Sequence, residues 1–157
     1  MEELKDTENS VSVERVIPAP ADQIFALIAD PVRHHDIDGS GSVREAKDVP
    51  AQLQLGSKFG MKMKLGIPYS MVSTVIEFEP NRRIAWQTWP PIGAFMGGGR
   101  IWRYELEPVD GGTRVRETWD ISQEVGVKPL LRNARTHEHT RKAMEQTLEN
   151  IEKLLAS

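Results

Sequence analysis

The chain has 157 residues, of which 39% are hydrophobic and 27% are charged, with a formal net charge of −3. This length fits one domain, and the slight acidity gives no electrostatic basis for a nucleic-acid partner. The absence of cysteine excludes disulfides and Cys-ligated zinc. No apolar run approaches the about 20 residues that cross a bilayer, and the polar N-terminus does not resemble a signal peptide. We therefore expect a cytoplasmic protein without stable membrane insertion.

Local composition predicts the first elements. Residues 1–10 are polar and are expected to form a flexible tail. The β-branched segment from Val11 to Ile17 predicts a strand. Residues 19–30 then predict a short helix, because a proline stands in its first turn and apolar residues follow at helical spacing. Pro31 ends this helix, and a second short helix is expected over residues 32–37.

From Ser42 the apolar period changes to two, which predicts about six further strands joined by short turns. Strands joined in this way form an antiparallel meander. Asp110-Gly111-Gly112 is typical of a hairpin turn before the last strand. The sets predicted to share one face are Phe59, Met61, Met63 and Leu65; Val72, Thr74, Ile76 and Phe78; Ile84, Trp86 and Thr88; Trp102, Tyr104 and Leu106; and Val115, Glu117, Trp119 and Ile121.

After Gly126 the period becomes helical through Leu155. Two neighbouring seven-residue series form one stripe of a long helix. A helix of this length has to bury its stripe, and the concave face of the sheet is the partner large enough to cover it. The sequence therefore predicts a single α+β domain over residues 11–157. The two series are Leu130, His137, Met144 and Ile151, and Ala134, Arg141, Leu148 and Leu155.

Several short motifs carry a family resemblance. Residues 16–31 read Val-Ile-Pro-Ala-Pro-Ala-Asp-Gln-Ile-Phe-Ala-Leu-Ile-Ala-Asp-Pro, and Asp-Gly-Ser-Gly at 38–41, Gly-Ser-Lys-Phe at 56–59 and Gly-Gly-Thr-Arg-Val at 111–115 follow. With these motifs the chain resembles the START-related helix-grip superfamily, in its SRPBCC or polyketide cyclase/dehydrase branch. The resemblance implies a helix-grip fold, in which a curved antiparallel sheet of about six or seven strands wraps a long C-terminal helix.

The resemblance covers about residues 11–156, and one position departs from it. In many relatives a tryptophan stands where this chain has Ile37, so we expect the local packing to differ there. The superfamily includes cyclases, lipid carriers, hormone receptors and co-chaperone-like modules. The resemblance therefore implies a fold more strongly than a chemistry.

The residues predicted to bind a ligand combine apolar side chains of the sheet with a polar cluster on the helix. Methionines suit an adaptable apolar wall, and a few polar groups fix the orientation of a ligand. His137 interrupts the apolar stripe, with Asn133 and Arg141 one turn away on either side. The alternative is that this part of the helix is exposed, or that Arg141 extends to solvent. The full set is Phe59, Met61, Met63, Trp86, Phe95, Met96, Trp102, Tyr104, Trp119, Asn133, His137 and Arg141.

Glu117 lies on the same predicted strand face as apolar residues. An inward carboxylate there could act as a general acid or base, and Glu117, His137 and Arg141 are the candidate catalytic residues. The alternative is a structural ion pair with Arg103 or Arg141, or a twist at the strand end that brings Glu117 to solvent.

Two further motifs lack the context that their chemistry needs. His34-His35-Asp36-Ile37-Asp38 is rich in possible metal ligands, but adjacent histidines diverge on a helix, so a solvated loop is expected instead. Gly97-Gly98-Gly99-Arg100 suits a phosphate, but no helix follows it. A mobile flap over residues 90–99, in which Phe95 and Met96 close over a ligand, is the better interpretation. We expect no metal and no cofactor.

Three functions stay open at this point. The first is binding of a small apolar molecule, lipid-like or aromatic, in a pocket between sheet and helix. The second is polyketide cyclase or dehydratase chemistry in that pocket, in which His137 or Glu117 moves protons and Arg141 stabilises an enolate. The third is a co-chaperone-like protein-interaction module, which the lysines on the outer face of residues 57–65 disfavour. Binding is preferred, and the chain is expected to be a monomer or a homodimer.

Overall fold

A computed structural model of the chain describes residues 3–47, 53–65, 67–90, 98–126 and 128–156. The fold is α+β, with one strand, short helices, six further strands and a helical C-terminal region, as the sequence predicts. In chain order the elements are β1 (Ser10–Ile17), α1 (Ala21–Ile28), a 3₁₀ turn (Pro31–Arg33), α2 (His34–Ile37), β2 (Val43–Lys47), β3 (Lys58–Leu65), β4 (Ile67–Glu79), β5 (Arg83–Trp89), β6 (Arg100–Val109), β7 (Gly112–Asp120), α3 (Lys128–Leu131) and α4 (Ala134–Ala156).

The seven strands form one antiparallel sheet in the order β1-β7-β6-β5-β4-β3-β2. Consecutive strands from β2 to β7 pair with each other, so the predicted meander is confirmed. β1 lies beside the last strand, with Val13 opposite Glu117. The first strand therefore extends the sheet at its β7 edge.

Alternate residues of β5, β6 and β7 form the buried face of the sheet. The period-two sets predicted for these strands are confirmed, because their members are buried or packed against the core. The apolar face of α1 covers part of the same core. The fully buried side chains of these elements include Ile24 and Ile28 of α1, Ile84 of β5 and Val115 of β7.

A β-bulge changes the face of β4. The pairing of β4 with β5 shifts register directly after Val75. Ser73 and Val75 are buried before the bulge, and Phe78 packs against the core after it. The predicted face is therefore wrong for Val72 and Thr74, because the extra residue of a bulge moves the following side chains to the opposite face.

The single helix predicted after Gly126 is divided into two. α3 ends at Leu131, and α4 begins at Ala134. The side chain of Asn133 accepts a hydrogen bond from the backbone N–H of Thr136 at 2.9 Å and so caps α4. The seven-residue series cannot continue across this cap, because the chain leaves the helical path there.

α4 buries its stripe only from its middle onwards. Met144, Thr147, Leu148 and Ile151 are buried, whereas Ala134 at the start of the helix is exposed. The first turns of α4 therefore lie over the sheet without filling the space beneath them. Within the ranges described above, no helix combines the length and the apolar character needed to cross a membrane.

Two hydrogen bonds hold the loop after α2 against α4. The backbone N–H of Gly39 donates to Thr147 Oγ1 at 2.8 Å, and Asn150 Nδ2 donates to the carbonyl oxygen of Ile37 at 3.1 Å. Gly39 sits so close to the helix that an added Cβ would overlap the carbonyl oxygen of Ala143. This contact sets the position of the loop relative to α4.

The segment before β1, expected to be a flexible tail, also contacts the C-terminal helical region. Asp6 forms an ion pair with Arg141 of α4, and Glu8 forms one with Arg132 before α4. Exposed ion pairs of this kind are worth about 0–1 kcal/mol each. They orient the segment along α4 more than they stabilise the fold.

Candidate ligand cavity

A cavity of about 640 Å³ lies between the sheet and α4. Small-molecule sites in proteins have volumes of about 300–1,000 Å³. Met63 of β3, Met71 of β4, Trp86 of β5, Trp102 of β6 and Met144 of α4 give the wall much of its apolar surface. The space below the first half of α4 is therefore large enough for a ligand and lined by adaptable side chains.

Strand register brings the polar and aromatic residues of the wall together. Trp86 of β5 lies opposite Trp102 of β6, and Tyr104 of β6 lies opposite Glu117 of β7. Positions two apart on a strand face the same side, so these two rows are neighbours on the concave face. Glu117 is consequently held among aromatic side chains.

Glu117 is a buried carboxyl group in the cavity wall, with an exposed fraction of 3%. The Tyr104 hydroxyl forms a hydrogen bond to it, whereas Oε1 has no hydrogen-bond partner among the described residues. Burial raises the pKa of Glu117 to about 8 with a further contribution from nearby Asp38, although the Tyr104 hydrogen bond lowers it. The carboxyl group is therefore mostly neutral at pH 7.

Tyr104 keeps its proton for a related reason. Burial, followed by the charge and the hydrogen bond of Glu117, raises the pKa of Tyr104 well above its ordinary value. A phenol that stays protonated can donate its hydrogen bond to the carboxyl group of Glu117. The pair thus forms a fixed polar unit in an otherwise apolar part of the wall.

His34 belongs to the cavity wall and not to a solvated loop as the sequence predicted. Its Nε2 lies 2.8 Å from the carbonyl oxygen of Ile28, and its ring stacks on Trp86 with centroids 5.1 Å apart. Because a carbonyl oxygen only accepts, Nε2 carries the proton. Burial lowers the pKa of His34, so the ring is neutral. The sequence missed this because stacking on a distant strand leaves no local pattern.

Asp38 is fixed in the wall by the turn that follows it. Its carboxylate accepts hydrogen bonds from the backbone N–H of Ser40 at 3.1 Å, from the Ser40 hydroxyl at 2.8 Å and from the backbone N–H of Val43 at 3.0 Å. An Asp side chain that binds its own following backbone is common in turns. The Asp-Gly-Ser-Gly motif therefore places a carboxylate beside the cavity.

Arg100 is the one Arg or Lys that the described part of the chain contributes to the wall. Its Nε and Nη2 donate to the two carboxylate oxygens of Glu124 at 3.2 and 3.3 Å, and the Glu124 side chain is fully buried. This two-point pairing fixes the guanidinium and offsets its charge. The predicted glycine-rich flap lies mostly at residues 91–97, outside the described residues.

The sheet residues predicted to bind a ligand separate into three groups. Strand alternation identified the buried face, but it could not show where the core ends and the cavity begins. Met63, Trp86, Trp102 and Tyr104 line the cavity; Phe59, Met61 and Trp119 are buried outside the lining; and Phe95 and Met96 lie outside the described residues.

The polar cluster predicted on the helix lies outside the cavity lining. Asn133 is exposed and caps α4, and Arg141 pairs with Asp6. The His137 ring meets Trp119 edge-on at 5.6 Å, and His137 Nε2 is buried without a hydrogen-bond partner among the described residues. His137 contacts β7 through Trp119, since its side of α4 lies about one-quarter turn from the lining face. The α4 residues that line the cavity are His139, Thr140, Ala143, Met144 and Thr147.

The structural ion pair suggested for Glu117 is not formed. Arg103 pairs with Glu77, with 2.6 Å between Nη2 and Oε2, and Arg141 pairs with Asp6. Both arginines therefore face away from Glu117. Across the described ranges, no group of three or more His, Asp or Glu side chains is placed to hold a metal ion.

Sequence reasoning missed Arg100 as a wall residue, although a signal for it was present. Arg100, Trp102 and Tyr104 follow one another at period two on β6, and all three line the cavity. His34 and Asp38 had no comparable signal, because their positions depend on how α2 and the loop after it pack against the rest of the fold.

The curved antiparallel sheet, the long C-terminal helix and the cavity between them define a helix-grip fold. Residues 8–156 match the family model described as polyketide cyclase / dehydrase and lipid transport. The chain belongs to this family, since the match covers almost its whole length.

Known proteins with related sequence or structure give the family its context. The uncharacterized protein Rv0088 of Mycobacterium tuberculosis is 44% identical over 121 residues, which are 76% of this chain and 50% of that protein. The chain thus spans about half the length of this curated relative. Protein NE0264 from Nitrosomonas europaea has a TM-score of 0.73 at 16% identity, with 97% of each chain covered. DynU16, from the dynemicin biosynthetic locus, has a TM-score of 0.67 at 15% identity, with 95% of this chain and 48% of that chain covered.

Proposed function

We propose that this protein binds a small apolar molecule, lipid-like or aromatic, in the cavity between the sheet and α4. The observation that carries the proposal is the cavity of about 640 Å³, whose wall combines methionines and tryptophans with few polar groups. An apolar ligand there gains about 25 cal/mol for each Å² of apolar surface removed from water. The family description, which includes lipid transport, supports the same function.

Ligand panels test the proposal. Native mass spectrometry of the freshly purified protein is followed by thermal shifts against sterols, fatty acids and aromatic polyketides. We expect a co-purified apolar molecule, or a panel compound that raises the melting temperature. A ligand present at about 100 times its Kd should stabilise the protein by about 2.7 kcal/mol.

Two neighbouring positions on α4 give a matched control. Ala143 lines the cavity, whereas Lys142 is exposed. Ala143→Phe should obstruct part of the cavity and weaken the thermal shift, and Lys142→Phe should retain it, because the same ring then points to solvent. A shift of undiminished size in Ala143→Phe, or the absence of any shift in the unsubstituted protein, would contradict binding in this cavity.

Glu117 favours a second function, cyclase or dehydratase chemistry in the same cavity. A neutral carboxyl group can protonate a departing hydroxyl or an acceptor carbonyl, and Tyr104 is placed to stabilise the resulting carboxylate. The family description and the biosynthetic locus of DynU16 support this candidate. Incubation of stabilising ketide ligands with the protein, followed by mass spectrometry, should show loss of water. The loss should cease in Glu117→Gln, and an unchanged ligand mass in every case would leave binding as the function.

A further inference from the structure

The ring of His34 is held in one orientation in the cavity wall. Its Nε2 lies 2.8 Å from the carbonyl oxygen of Ile28, its face stacks on Trp86, and the ring of Phe59 meets it at a steep angle with centroids 5.7 Å apart. The residue is only 7% exposed. The second ring nitrogen, Nδ1, therefore has a fixed place in the wall.

The hydrogen bond to Ile28 decides which nitrogen of His34 carries the proton. A carbonyl oxygen only accepts, so Nε2 is the donor, and in a neutral ring Nδ1 then keeps a free lone pair. At pH 8 a histidine is neutral even at its ordinary pKa of about 6.5. Burial lowers the pKa of His34 below that value. Nδ1 is consequently a hydrogen-bond acceptor.

Nδ1 of His34 can be reached from the cavity. It forms no hydrogen bond with the described residues. The described side-chain atoms that are both unpaired and fully shielded are Asn9 Oδ1, Glu117 Oε1 and His137 Nε2, and Nδ1 is not among them. His34 lines the cavity and is packed against the protein on its other sides, so the accessible surface of Nδ1 opens into this space.

An apolar ligand that fills the cavity changes the surroundings of this acceptor. The ligand displaces water from Nδ1 of His34, and loss of a hydrogen bond at a buried polar atom costs free energy. Other polar groups of the wall are paired within the protein, since the Thr88 hydroxyl bonds to Ser73 and Arg100 pairs with Glu124. The partner that replaces the water at Nδ1 therefore has to come from the ligand.

We propose that the cavity binds an apolar molecule that bears an uncharged hydroxyl group, and that this hydroxyl donates a hydrogen bond to Nδ1 of His34. This inference rests on the proposed binding function and names the class of its ligand, an apolar alcohol or phenol. Trp86 stacks on His34 and also lines the cavity, so an apolar surface adjoins the acceptor.

Other ligand groups fit Nδ1 of His34 less well. A ketone, an ether or a carboxylate only accepts, and it would place a lone pair against the lone pair of Nδ1. An ammonium group donates, but its charge would lose hydration beside the rings of Trp86 and Phe59. A hydrocarbon leaves Nδ1 without a partner.

Three naphthalenes of nearly equal size test the ligand class. 2-Naphthalenemethanol carries a hydroxyl group, its isomer 2-methoxynaphthalene has an oxygen that only accepts, and 2-ethylnaphthalene reports apolar binding alone. Isothermal titration calorimetry at pH 8 gives the affinity of each probe. The alcohol-to-ether affinity ratio, compared between protein variants, cancels the different hydration of the free probes.

Substitutions of His34 should change this ratio in a defined way. His34→Phe keeps a ring beside Trp86 and removes the acceptor, so the ratio should fall about fivefold, as the loss of one hydrogen bond implies. His34→Asn places Oδ1 close to the position of Nδ1 and should retain most of the ratio. His35→Phe is the matched control, because His35 is exposed and outside the cavity lining, and it should leave the ratio unchanged.

Nuclear magnetic resonance of the unsubstituted protein tests the same contact without a variant. In protein labelled with ¹⁵N-histidine, the Nδ1 resonance of His34 should have the position of an unprotonated ring nitrogen. The alcohol should move it towards lower frequency, as acceptance of a hydrogen bond does, and the ether should not. This measurement decides the question if His34→Phe fails to fold.

The outcomes separate this inference from the function on which it rests. An alcohol-to-ether ratio that is the same in His34→Phe and in the unsubstituted protein would overturn the hydroxyl assignment and leave apolar binding intact. A protonated Nδ1, or a resonance that the alcohol does not move, would overturn it as well. If none of the three probes binds the unsubstituted protein, the proposed function itself is contradicted.

Discussion

Glu117 lies where strand alternation predicts it, but its environment gives it an unusual chemistry. The sequence indicates an inward carboxyl group on β7, and it offers Arg103 and Arg141 as partners. Both arginines pair with other acidic residues in the structure. Glu117 is therefore left with Tyr104 and a raised pKa, because burial without a cation favours the neutral form.

The raised pKa of Glu117 predicts how stability changes with pH. The folded-state pKa is about 8 and the ordinary value is 4.5, so the folded state holds this proton more tightly than the unfolded state does. The stability that the folded protein gains from this protonated carboxyl group is fully present below pH 4.5 and is lost as the pH rises towards 8. The free energy of unfolding relative to Glu117→Gln should fall by about 1.4 kcal/mol per pH unit between pH 5.5 and 7.5. Urea unfolding followed by circular dichroism measures it, and a pH-independent difference would show that Glu117 titrates normally.

Other residues of the cavity wall show which parts of the site can be predicted from the sequence. Trp102 and Tyr104 follow from strand alternation, and Arg100 belongs to the same alternation. His34 and Asp38 were not identified, because the packing of α2 and of the loop after it places them in a wall shared with strands that are distant in sequence. Local periodicity reports the face of an element and does not report the docking of a loop.

At the scale of elements, the start of α4 decides which helical face meets the cavity. The seven-residue series was extended through Asn133, but the cap at this residue begins a new helix. Met144 and Ile151 keep their predicted burial because they lie well inside α4. Arg141 and His137 sit near its first turns, where the lining face differs from the predicted stripe.

The cap gives a prediction that separates a structural role of Asn133 from a ligand contact. Asn133→Ala should lower the free energy of unfolding by about 1 kcal/mol, because a backbone N–H at the start of α4 loses its partner. Asn133→Asp should keep the cap and most of the stability. Neither change should alter affinity for a panel ligand, since Asn133 is outside the lining. An affinity loss in both variants at unchanged stability would restore Asn133 to the ligand site.

The loop after α2 makes a second prediction for this scale. Gly39→Ala should destabilise the protein by about 2–3 kcal/mol, because the new Cβ meets backbone atoms of Ala143 and Thr147 that cannot move aside easily. Gly41→Ala is the matched control, since its Cβ meets open space but its φ is +75°. That change should cost about 1 kcal/mol. Chemical denaturation of both variants compares the two losses of unfolding free energy. A smaller loss in Gly39→Ala than in Gly41→Ala would disprove the close contact.

The bulge in β4 shows why a pattern on one strand can change within the strand. Ser73 and Val75 are buried before the bulge, and Phe78 packs against the core after it. An unbroken alternation of side chains would put Phe78 on the face opposite to Ser73 and Val75. A sequence of β-branched and polar residues carries no mark of the inserted residue. The sheet order and the strand count were predictable, and this local shift was not.

At the scale of the whole molecule, the sheet and α4 pack together along the second half of the helix and enclose a cavity along the first half. The second half of α4 packs into the core through Leu148 and Ile151. The first half lies over the cavity and is tied to the segment before β1 by the pair of Asp6 with Arg141. This division of α4 leaves a filled core under its second half and a cavity under its first half.

The central claim is that an apolar ligand occupies the space between the sheet and α4. The most direct measurement is a crystal structure of the protein with the panel compound that stabilises it most. We expect ligand density between Trp86 and Trp102 on the sheet and Met144 on α4. Ligand density on the outer face of the sheet, with the cavity closed by its own side chains, would contradict the claim.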